Sequence, residues 1–257
     1  MRDMISGEKR RRSPPRMMVA MNEQTAPAAP QAHGTLAHVA LTDRRRWRLA
    51  AEIALFFIGL PLLANWLIQT YRIGLFALLQ PAFLTLLVYL VFDRRFSLKR
   101  EFSRWPDRRL LLSVLALFLA CAVGVSAFVA VTMPAAFLSL PRHNTGLWLM
   151  VMLFYPLLSA LPQELGFRTF FFHRYGLLFA GKPALLIALN GALFGFAHLI
   201  FGGWISVVLS GLLGALLAWR YLRTRSLGAA WIEHALYGQL VFTVGLGRYF
   251  YTGATNF

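Results

Sequence analysis

Residues 161–175, LPQELGFRTFFFHRY, decide the interpretation of this chain. The stretch continues a long apolar run, yet it carries an acid, Glu164, and a base, Arg168, four residues apart. On a helix this spacing places both groups on one face with the acid nearer the N-terminus, which favours an ion pair. Because charges are costly inside a membrane, ionisable residues there indicate a functional site. The stretch therefore predicts a membrane helix that carries part of such a site.

The composition places the chain among polytopic helical membrane proteins. It has 257 residues, of which 58% are hydrophobic and only ten are acidic, and its mean hydropathy is +0.58. Several apolar runs approach about 20 residues, the length with which a helix crosses hydrocarbon. The runs are continuous and do not alternate with polar residues, which argues against a β-barrel. We therefore predict an all-α membrane protein.

The apolar runs predict about seven transmembrane helices. They fall at residues 49–68, 74–92, 110–133, 147–172, 183–201, 204–222 and 228–247. Residues 1–45 are polar and basic, so we expect a disordered cytoplasmic tail there. We assign 46–146 to a three-span scaffold and 147–257 to a four-span catalytic core, because Glu52 is the only acid within the first three spans. Glu52 is expected to reach the membrane interface or to pair with a nearby arginine.

The positive charges predict the orientation and the surroundings. With a cytoplasmic N-terminus, 23 of the 26 Lys and Arg residues lie on the cytoplasmic side, against only Arg72, Arg142 and Arg248 outside. Positive charges are retained in the cytoplasm, so this orientation is expected. The basic clusters adjoin the spans, which indicates contact with membrane lipids and no nucleic-acid partner. Arginine far outnumbers lysine, as is typical of GC-rich bacterial genomes, and we therefore expect the bacterial inner membrane.

Small residues predict close helix packing in the second half of the chain. In the sixth span they recur at every fourth position: Ser206, Ser210, Gly214 and Ala218. Gly191 and Gly195 form a GxxxG motif in the fifth span. Such ridges let two helix backbones approach closely where lipid supplies no hydrophobic drive. We therefore expect the last four spans to form a tight bundle.

Three of these spans each supply a group suited to hydrolysis. Glu164 lies about eight residues before the cytoplasmic end of the fourth span, roughly 12 Å inward. Burial beside Arg168 favours a carboxylate that is ionised yet basic enough to activate water. His198 and His234 come from the fifth and seventh spans, and imidazoles can donate to a water or to a developing oxyanion. Together the three residues predict a hydrolytic site within the membrane.

The depth of His198 conflicts with this grouping. Counted from Lys182, His198 lies about 16 residues into its span, roughly 24 Å, well beyond Glu164. The two side chains can meet only if the fifth span begins in the cytoplasm, tilts, or ends in mid-membrane near Phe201.

Histidines with an acid also suit zinc. The chain has no HExxH motif, and His198 and His234 are 36 residues apart. We therefore favour a glutamate site without a cofactor, and a zinc site formed by both histidines and Glu164 is the alternative. Glu233, next to His234, is a candidate second acid. The single cysteine, Cys121, provides neither a disulfide nor a cysteine-based metal site.

Three short motifs in this part of the chain resemble the CPBP family, the CAAX-prenyl-protease and bacteriocin-processing (abortive-infection) intramembrane proteases. The signature of that family is Glu-Glu-x-x-x-Arg, Phe-x-x-x-His and His-x-x-x-Asn on successive membrane helices. Residues 163–168 (QELGFR) match the first motif with one change, and 194–198 (FGFAH) match the second in full. Residues 234–238 (HALYG) match the third except at its last position. The resemblance covers about residues 150–245.

The resemblance implies an all-helical core that hydrolyses peptide bonds in or near the bilayer. A glutamate would activate water, and His198 and His234 would assist at the oxyanion together with the asparagine of the third motif. Arg168 and Phe194 would be the supporting residues of the first two motifs.

Two positions depart from the family signature. The first glutamate of the family pair usually activates water, but Gln163 occupies its position and cannot take a proton. Gly238 replaces the asparagine and has no donor side chain. Because Arg168 and both histidines are retained, we expect activity with Glu164 as the base and Gln163 orienting the water.

The expected function is therefore an intramembrane endopeptidase that cleaves a membrane-associated peptide or protein. A prenylated CAAX peptide is not the expected substrate in a bacterium. One alternative is a catalytically weakened or inactive immunity or binding protein on the same scaffold, which Gln163 and Gly238 favour. A zinc-dependent membrane protease and a small transporter are the others, although the chain lacks the internal repeat of many transporters.

Overall fold

The computed structural model describes residues 41–250, and all regular structure within them is helical. The helices are α1 (Asp43–Tyr71), α2 (Leu75–Phe92), α3 (Leu98–Ser103), α4 (Arg108–Thr132), α5 (Ser139–His143), α6 (Thr145–Phe179), α7 (Pro183–Phe201), α8 (Trp204–Thr224) and α9 (Leu227–Val244). A 3₁₀ turn at Gly247–Phe250 follows α9. The all-α prediction is confirmed, whereas the predicted disordered tail falls almost wholly on residues 1–40, outside the described residues.

Within residues 41–250, six helices are long and apolar enough to cross a membrane, namely α1, α2, α4, α6, α7 and α8. They coincide with the first six predicted spans, which confirms a multi-pass membrane protein. The seventh predicted span falls on α9, which has 18 residues but carries Glu233, His234 and Gln239 and is not among the six. The count of seven spans and the orientation stay predictions.

Helix α6 is interrupted by two wider turns around the polar motif. π-Helical turns at Pro156–Ala160 and Leu165–Phe170 flank the short α-helical turn Leu161–Glu164. Pro156 and Pro162 have no N–H to donate to the carbonyls four residues earlier. Such wider turns inside a helix are frequent at functional sites.

The carbonyls freed by the two prolines are satisfied from neighbouring helices. The Gln239 side chain on α9 donates to the carbonyl of Met152 at 2.7 Å, and the Gln80 side chain on α2 donates to that of Leu158 at 2.8 Å. Trp231 on α9 donates to the Pro156 carbonyl at 2.6 Å. An unsatisfied backbone group in hydrocarbon is costly, so these contacts hold the irregular part of α6 between α2 and α9.

Helices α7 and α8 approach each other closely along their small residues. A Cβ atom added at Gly195 would lie 2.5 Å from the Val207 carbonyl oxygen, and one added at Gly191 would lie 2.8 Å from Ala215. Ser206, Ser210 and Ala218, which belong to the small ridge of α8, are buried. The predicted close packing of these two helices is confirmed.

Ion pairs tie the first helices to the later ones. The Arg174 guanidinium on α6 binds both carboxylate oxygens of Glu52 on α1 at 3.0 Å each, which confirms an arginine partner for Glu52. Arg220 on α8 binds Glu233 on α9 through two nitrogens, and its third nitrogen donates to Ser113 on α4 at 3.1 Å. Arg220 therefore joins three helices, and both carboxylate oxygens of Glu233, the candidate second acid, are bound by this guanidinium.

A further pair lies just after α2. The Asp93 carboxylate accepts the Arg95 backbone N–H at 2.9 Å and lies 2.9 Å from His173 Nε2 on α6. The Arg95 N–H first, and then His173, hold the pKa of Asp93 below its usual range. This contact fastens the end of α2 to the end of α6.

Substitution of the packed glycine tests the contact between α7 and α8. We expect Gly195→Ala to lower the free energy of unfolding by about 1–3 kcal/mol, because the added methyl forces the two backbones apart. Gly124→Ala is the matched control, since an added Cβ meets nothing within 4 Å there. Thermal unfolding in detergent micelles measures both. Equal stability of the two variants would contradict the close approach.

Candidate active site

Glu164 joins α6 to α9 at the centre of the candidate site. Its carboxylate is fully buried, with Oε1 2.9 Å from His234 Nδ1 and Oε2 3.1 Å from Arg168 Nε. A carboxylate oxygen accepts hydrogen bonds, so His234 Nδ1 carries the hydrogen and, in the neutral ring, Nε2 is an acceptor. The fold therefore brings together Glu164, Arg168 and His234, as expected from the sequence.

Arg168 is itself fully buried and held by α7. One of its terminal nitrogens donates to the Asn190 side-chain oxygen at 2.5 Å, and the Asn190 amide donates to the Phe167 carbonyl at 2.8 Å. The guanidinium carbon lies 5.0 Å from the centre of the Phe194 ring, within reach of a cation–π contact. Asn190 is not among the site residues predicted from the sequence. The only feature of the sequence that could have indicated it is its position two helical turns before His198.

Phe194 lies against both imidazoles. Its ring centre is 4.8 Å from that of His198 and 5.4 Å from that of His234. His198 Nδ1 lies 2.8 Å from the Phe194 carbonyl oxygen and must donate to it, so His198 Nε2 is an acceptor in the neutral ring. Among the described residues His198 has no hydrogen bond to Glu164 or His234. The Phe194 ring therefore links the two histidines.

The end of α7 accounts for the position of His198. The last turn of the helix tightens to a 3₁₀ turn at His198–Phe201, and Gly202 follows with a φ of +75°. Helix α8 begins at Trp204, immediately afterwards. His198 thus lies in the terminal turn of a helix that stops at Phe201, one of the arrangements that the depth conflict required.

Gln163 and Glu164 are adjacent in sequence but face different surroundings. Gln163 lines a cavity among the helices, and its amide donates to the Ser159 hydroxyl at 2.9 Å. Glu164 does not line the cavity and is fully buried, in contact with Arg168 and with His234 on α9. In this conformation Glu164 has no contact with solvent water, so it can act on a water only through a neighbouring group.

The cavity is wide and largely apolar. It has a volume of about 2090 Å³, and its walls come from α1 and α2 as well as from α6 to α9. The polar residues on the wall nearest Glu164 are Tyr155, Gln163, His198 and His234. Ligand pockets for small molecules are commonly about 300–1,000 Å³. This cavity is large enough for a segment of peptide.

Tyr155 is a member of the site that the motifs did not indicate. Its hydroxyl lies 3.0 Å from His234 Nε2, so the phenol and Glu164 bind opposite nitrogens of one imidazole. Gly238, four residues after His234, faces the same ring: a Cβ atom added there would lie 2.2 Å from the nearest Tyr155 carbon. No sequence pattern pointed to this contact, because it joins two helices 79 residues apart.

The described residues contain no group of three or more His, Cys, Asp or Glu side chains arranged to hold a metal ion. Glu164 and His234 are bonded to each other, and His198 contacts Phe194 instead of joining them. A zinc site needs three or four ligand atoms converging at about 2 Å from one point. The geometry thus lends no support to the zinc alternative.

Comparison with known proteins agrees with the motifs. Residues 145–239 match the model of a family described as type II CAAX prenyl endopeptidase Rce1-like. The segment begins with α6 and ends within α9, so it contains Glu164, His198 and His234. No curated protein and no solved structure matches the chain. The resemblance to the CPBP family is confirmed for residues 145–239.

The buried ion pair is tested by a double-mutant cycle. We expect Arg168→Gln to lower the free energy of unfolding by about 3–5 kcal/mol, because it leaves the Glu164 carboxylate uncompensated. The double variant Glu164→Gln with Arg168→Gln should lose less than the sum of the two single losses. Unfolding in detergent by thermal or chemical denaturation measures all three.

Arg174→Gln serves as the control for this cycle. It breaks a pair whose side chains remain 32% and 22% exposed, so its loss should be smaller. Additive losses for Glu164 and Arg168 would show that the two groups do not interact.

Proposed function

We propose that this protein is an intramembrane endopeptidase that hydrolyses a peptide bond of a membrane-associated peptide or protein. The observation that carries the proposal is the buried pair of Glu164 and His234, whose imidazole lines an apolar cavity among membrane helices. A carboxylate that binds one nitrogen of an imidazole prepares the other nitrogen to accept a proton. The family match over residues 145–239 agrees with this reaction class.

The geometry favours an indirect role for Glu164. His234 Nε2 takes a proton from a water molecule, and the water oxygen attacks the carbonyl carbon of the peptide. Glu164 stabilises the imidazolium through the 2.9 Å contact at Nδ1. The C–N bond then breaks, and His234 returns the proton to the leaving nitrogen. Glu164 thus activates water through His234, since its full burial leaves it no contact with water of its own.

The remaining motif residues take positioning roles in this mechanism. Gln163 lies on the cavity wall with its carboxamide held by Ser159, where its free oxygen can orient the water. His198 Nε2, also on the wall, accepts a hydrogen bond from a substrate N–H. Arg168 pairs with the Glu164 carboxylate, and the Phe194 ring packs against the guanidinium and both imidazoles. No cofactor is required for these steps.

The residues that line the cavity indicate different roles for the two parts of the chain. Residues 147–257 supply every group in the mechanism, so they form the catalytic core. The scaffold at 46–146 contributes apolar wall, for example Phe56 on α1 and Leu79 on α2. An apolar wall favours a substrate that is already in the membrane. Because arginine far outnumbers lysine, we place the protein in a bacterial inner membrane. The distribution of its positive charges favours a cytoplasmic N-terminus.

A second candidate function is peptide binding without hydrolysis, as in an immunity protein. The observation that favours it is Gln163, an amide on the cavity wall at the position of the water-activating glutamate of the family. Such a protein would bind a peptide in the cavity without hydrolysing it. The two functions are separated by the assays below.

Cleavage by the purified protein tests the proposed function. The protein is reconstituted in phospholipid vesicles with a mixture of apolar membrane-inserting peptides, and mass spectrometry detects new peptide termini. We expect Glu164→Gln to slow cleavage about 100-fold, in line with the 10²–10⁴-fold typical of acid–base catalysis. Asp93→Asn is the matched control, because that carboxylate pairs with His173 near the end of α6, does not line the cavity, and should leave the rate unchanged. Cleavage by Glu164→Gln at the wild-type rate would refute the mechanism, and binding without cleavage by the wild type would favour the second candidate.

Substitution of Gln163 tests whether its amide limits the rate. Gln163→Glu restores the acidic pair of the family signature on the cavity wall. We expect it to raise the initial rate of cleavage about tenfold, because it places a carboxylate directly against the water. The same vesicle assay measures the rate. A lower rate in a variant of normal stability would mean that the amide itself is needed.

A further inference from the structure

We infer that Tyr155 is a catalytic residue whose hydroxyl donates to the carbonyl oxygen of the scissile peptide bond. It occupies the space, and takes the donor role, of the asparagine that this chain lacks at position 238. The inference rests on the proposed function, since it assigns a role in that reaction. The observations that carry it are the fit between Tyr155 and Gly238 and the contact between Tyr155 and His234.

Tyr155 and Gly238 fit together as a pair. A Cβ atom added at Gly238 would lie 2.2 Å from Cε1 of Tyr155 and 2.3 Å from both Cζ and the hydroxyl oxygen. Any residue larger than glycine at 238 would therefore overlap the phenol group. The side chain missing from α9 is replaced in space by one from α6.

The hydroxyl is a hydrogen-bond donor directed at the reacting groups. His234 Nδ1 carries a hydrogen for Glu164, so in the neutral ring His234 Nε2 can only accept from the Tyr155 hydroxyl, 3.0 Å away. When Nε2 accepts its hydrogen bond from a water instead, the O–H bond of Tyr155 can rotate about Cζ–O toward a substrate carbonyl while the ring stays in place. The carbonyl oxygen bound by Tyr155 would then belong to the carbon beside that water.

Neutral imidazoles cannot fill this role. Both His198 and His234 direct an N–H away from the cavity, to the Phe194 carbonyl and to Glu164 respectively. Their other nitrogens are acceptors until protonated. A donor for the oxyanion must therefore come from another cavity-lining group. Tyr155 is in contact with His234, whereas the Gln163 amide is directed at Ser159 through one of its two hydrogens.

The phenol is held rigidly, as oxyanion stabilisation requires. Its ring lies edge-on to His234 and to Phe242, with ring centres 6.0 Å apart in each case. The backbone on either side is fixed to α9, because Gln239 donates to the Met152 carbonyl and Trp231 to that of Pro156. A donor fixed in place costs no reorganisation when charge develops in the transition state.

Removal of the hydroxyl alone tests this role in the vesicle assay. We expect Tyr155→Phe to lower kcat about 100-fold with little change in KM, as for the loss of one oxyanion donor. The ring and its packing stay in place. Tyr175→Phe is the matched control, because that hydroxyl is also buried in α6, has no hydrogen-bond partner among the described residues and does not line the cavity.

A second variant distinguishes catalysis from packing. Tyr155→Leu should lose activity as Tyr155→Phe does, and Gly238→Asn added to it should restore at least about tenfold of the loss, since the asparagine can now enter the vacated space. A merely structural role would not be rescued by a residue that supplies a donor. Failure of this rescue together with full activity of Tyr155→Phe would overturn the inference.

The outcomes separate this inference from the function on which it rests. Full activity of Tyr155→Phe alongside an inactive Glu164→Gln variant would remove Tyr155 from the mechanism and leave the endopeptidase in place. Absence of cleavage by the wild type, with no difference from Glu164→Gln, would remove both.

Discussion

A carboxylate enclosed by membrane helices must be neutralised, and the arrangement of the site follows from this need at Glu164. Arg168 supplies the charge, but a buried guanidinium also requires partners, which come from Asn190 and the Phe194 ring on α7. The other oxygen of Glu164 binds His234 on α9. One buried charge thus fixes how three helices lie against one another, and it holds the imidazole at the cavity wall in a single tautomer.

Some polar residues of the apolar helices form hydrogen bonds with backbone groups and lie outside the candidate site. Two π-helical turns flank Leu161–Glu164 in α6, and side chains from α2 and α9 donate to the carbonyls that Pro156 and Pro162 leave free. Each such bond avoids an unsatisfied group in hydrocarbon. Gln239 belongs to none of the three motifs, and its side chain satisfies the backbone carbonyl of Met152. The irregular helix is therefore held by its neighbours at the position where the site needs it.

Gln163 and Glu164 are adjacent in one motif but have different surroundings, because their side chains face different directions. Consecutive positions on a helix point about 100° apart, so Gln163 lies on the cavity wall while Glu164 is buried against His234 of α9. The pair is therefore not two equivalent acids of which one has been lost. In this chain the position that meets the cavity has become an amide, and the position that holds the histidine has kept its charge. Tyr155 and Gly238 show a comparable fit, in which a side chain from α6 fills the space beside a glycine of α9.

The sequence by itself determined six of the apolar spans, the ion pair of Glu164 and Arg168, and the close packing at Gly195, because each depends on spacing along a single helix. It also identified which segments carry the histidines. Only the tertiary structure decided that His234 and not His198 reaches Glu164, that Glu164 faces away from the cavity, and that Tyr155 fills the space beside Gly238. These contacts depend on where a helix stops, on how it rotates and on which helix lies next to it. Helix geometry gives only the position of a residue along its own helix, at 1.5 Å per residue. The end, the rotation and the neighbours of each helix are set by the packing of side chains between helices far apart in sequence.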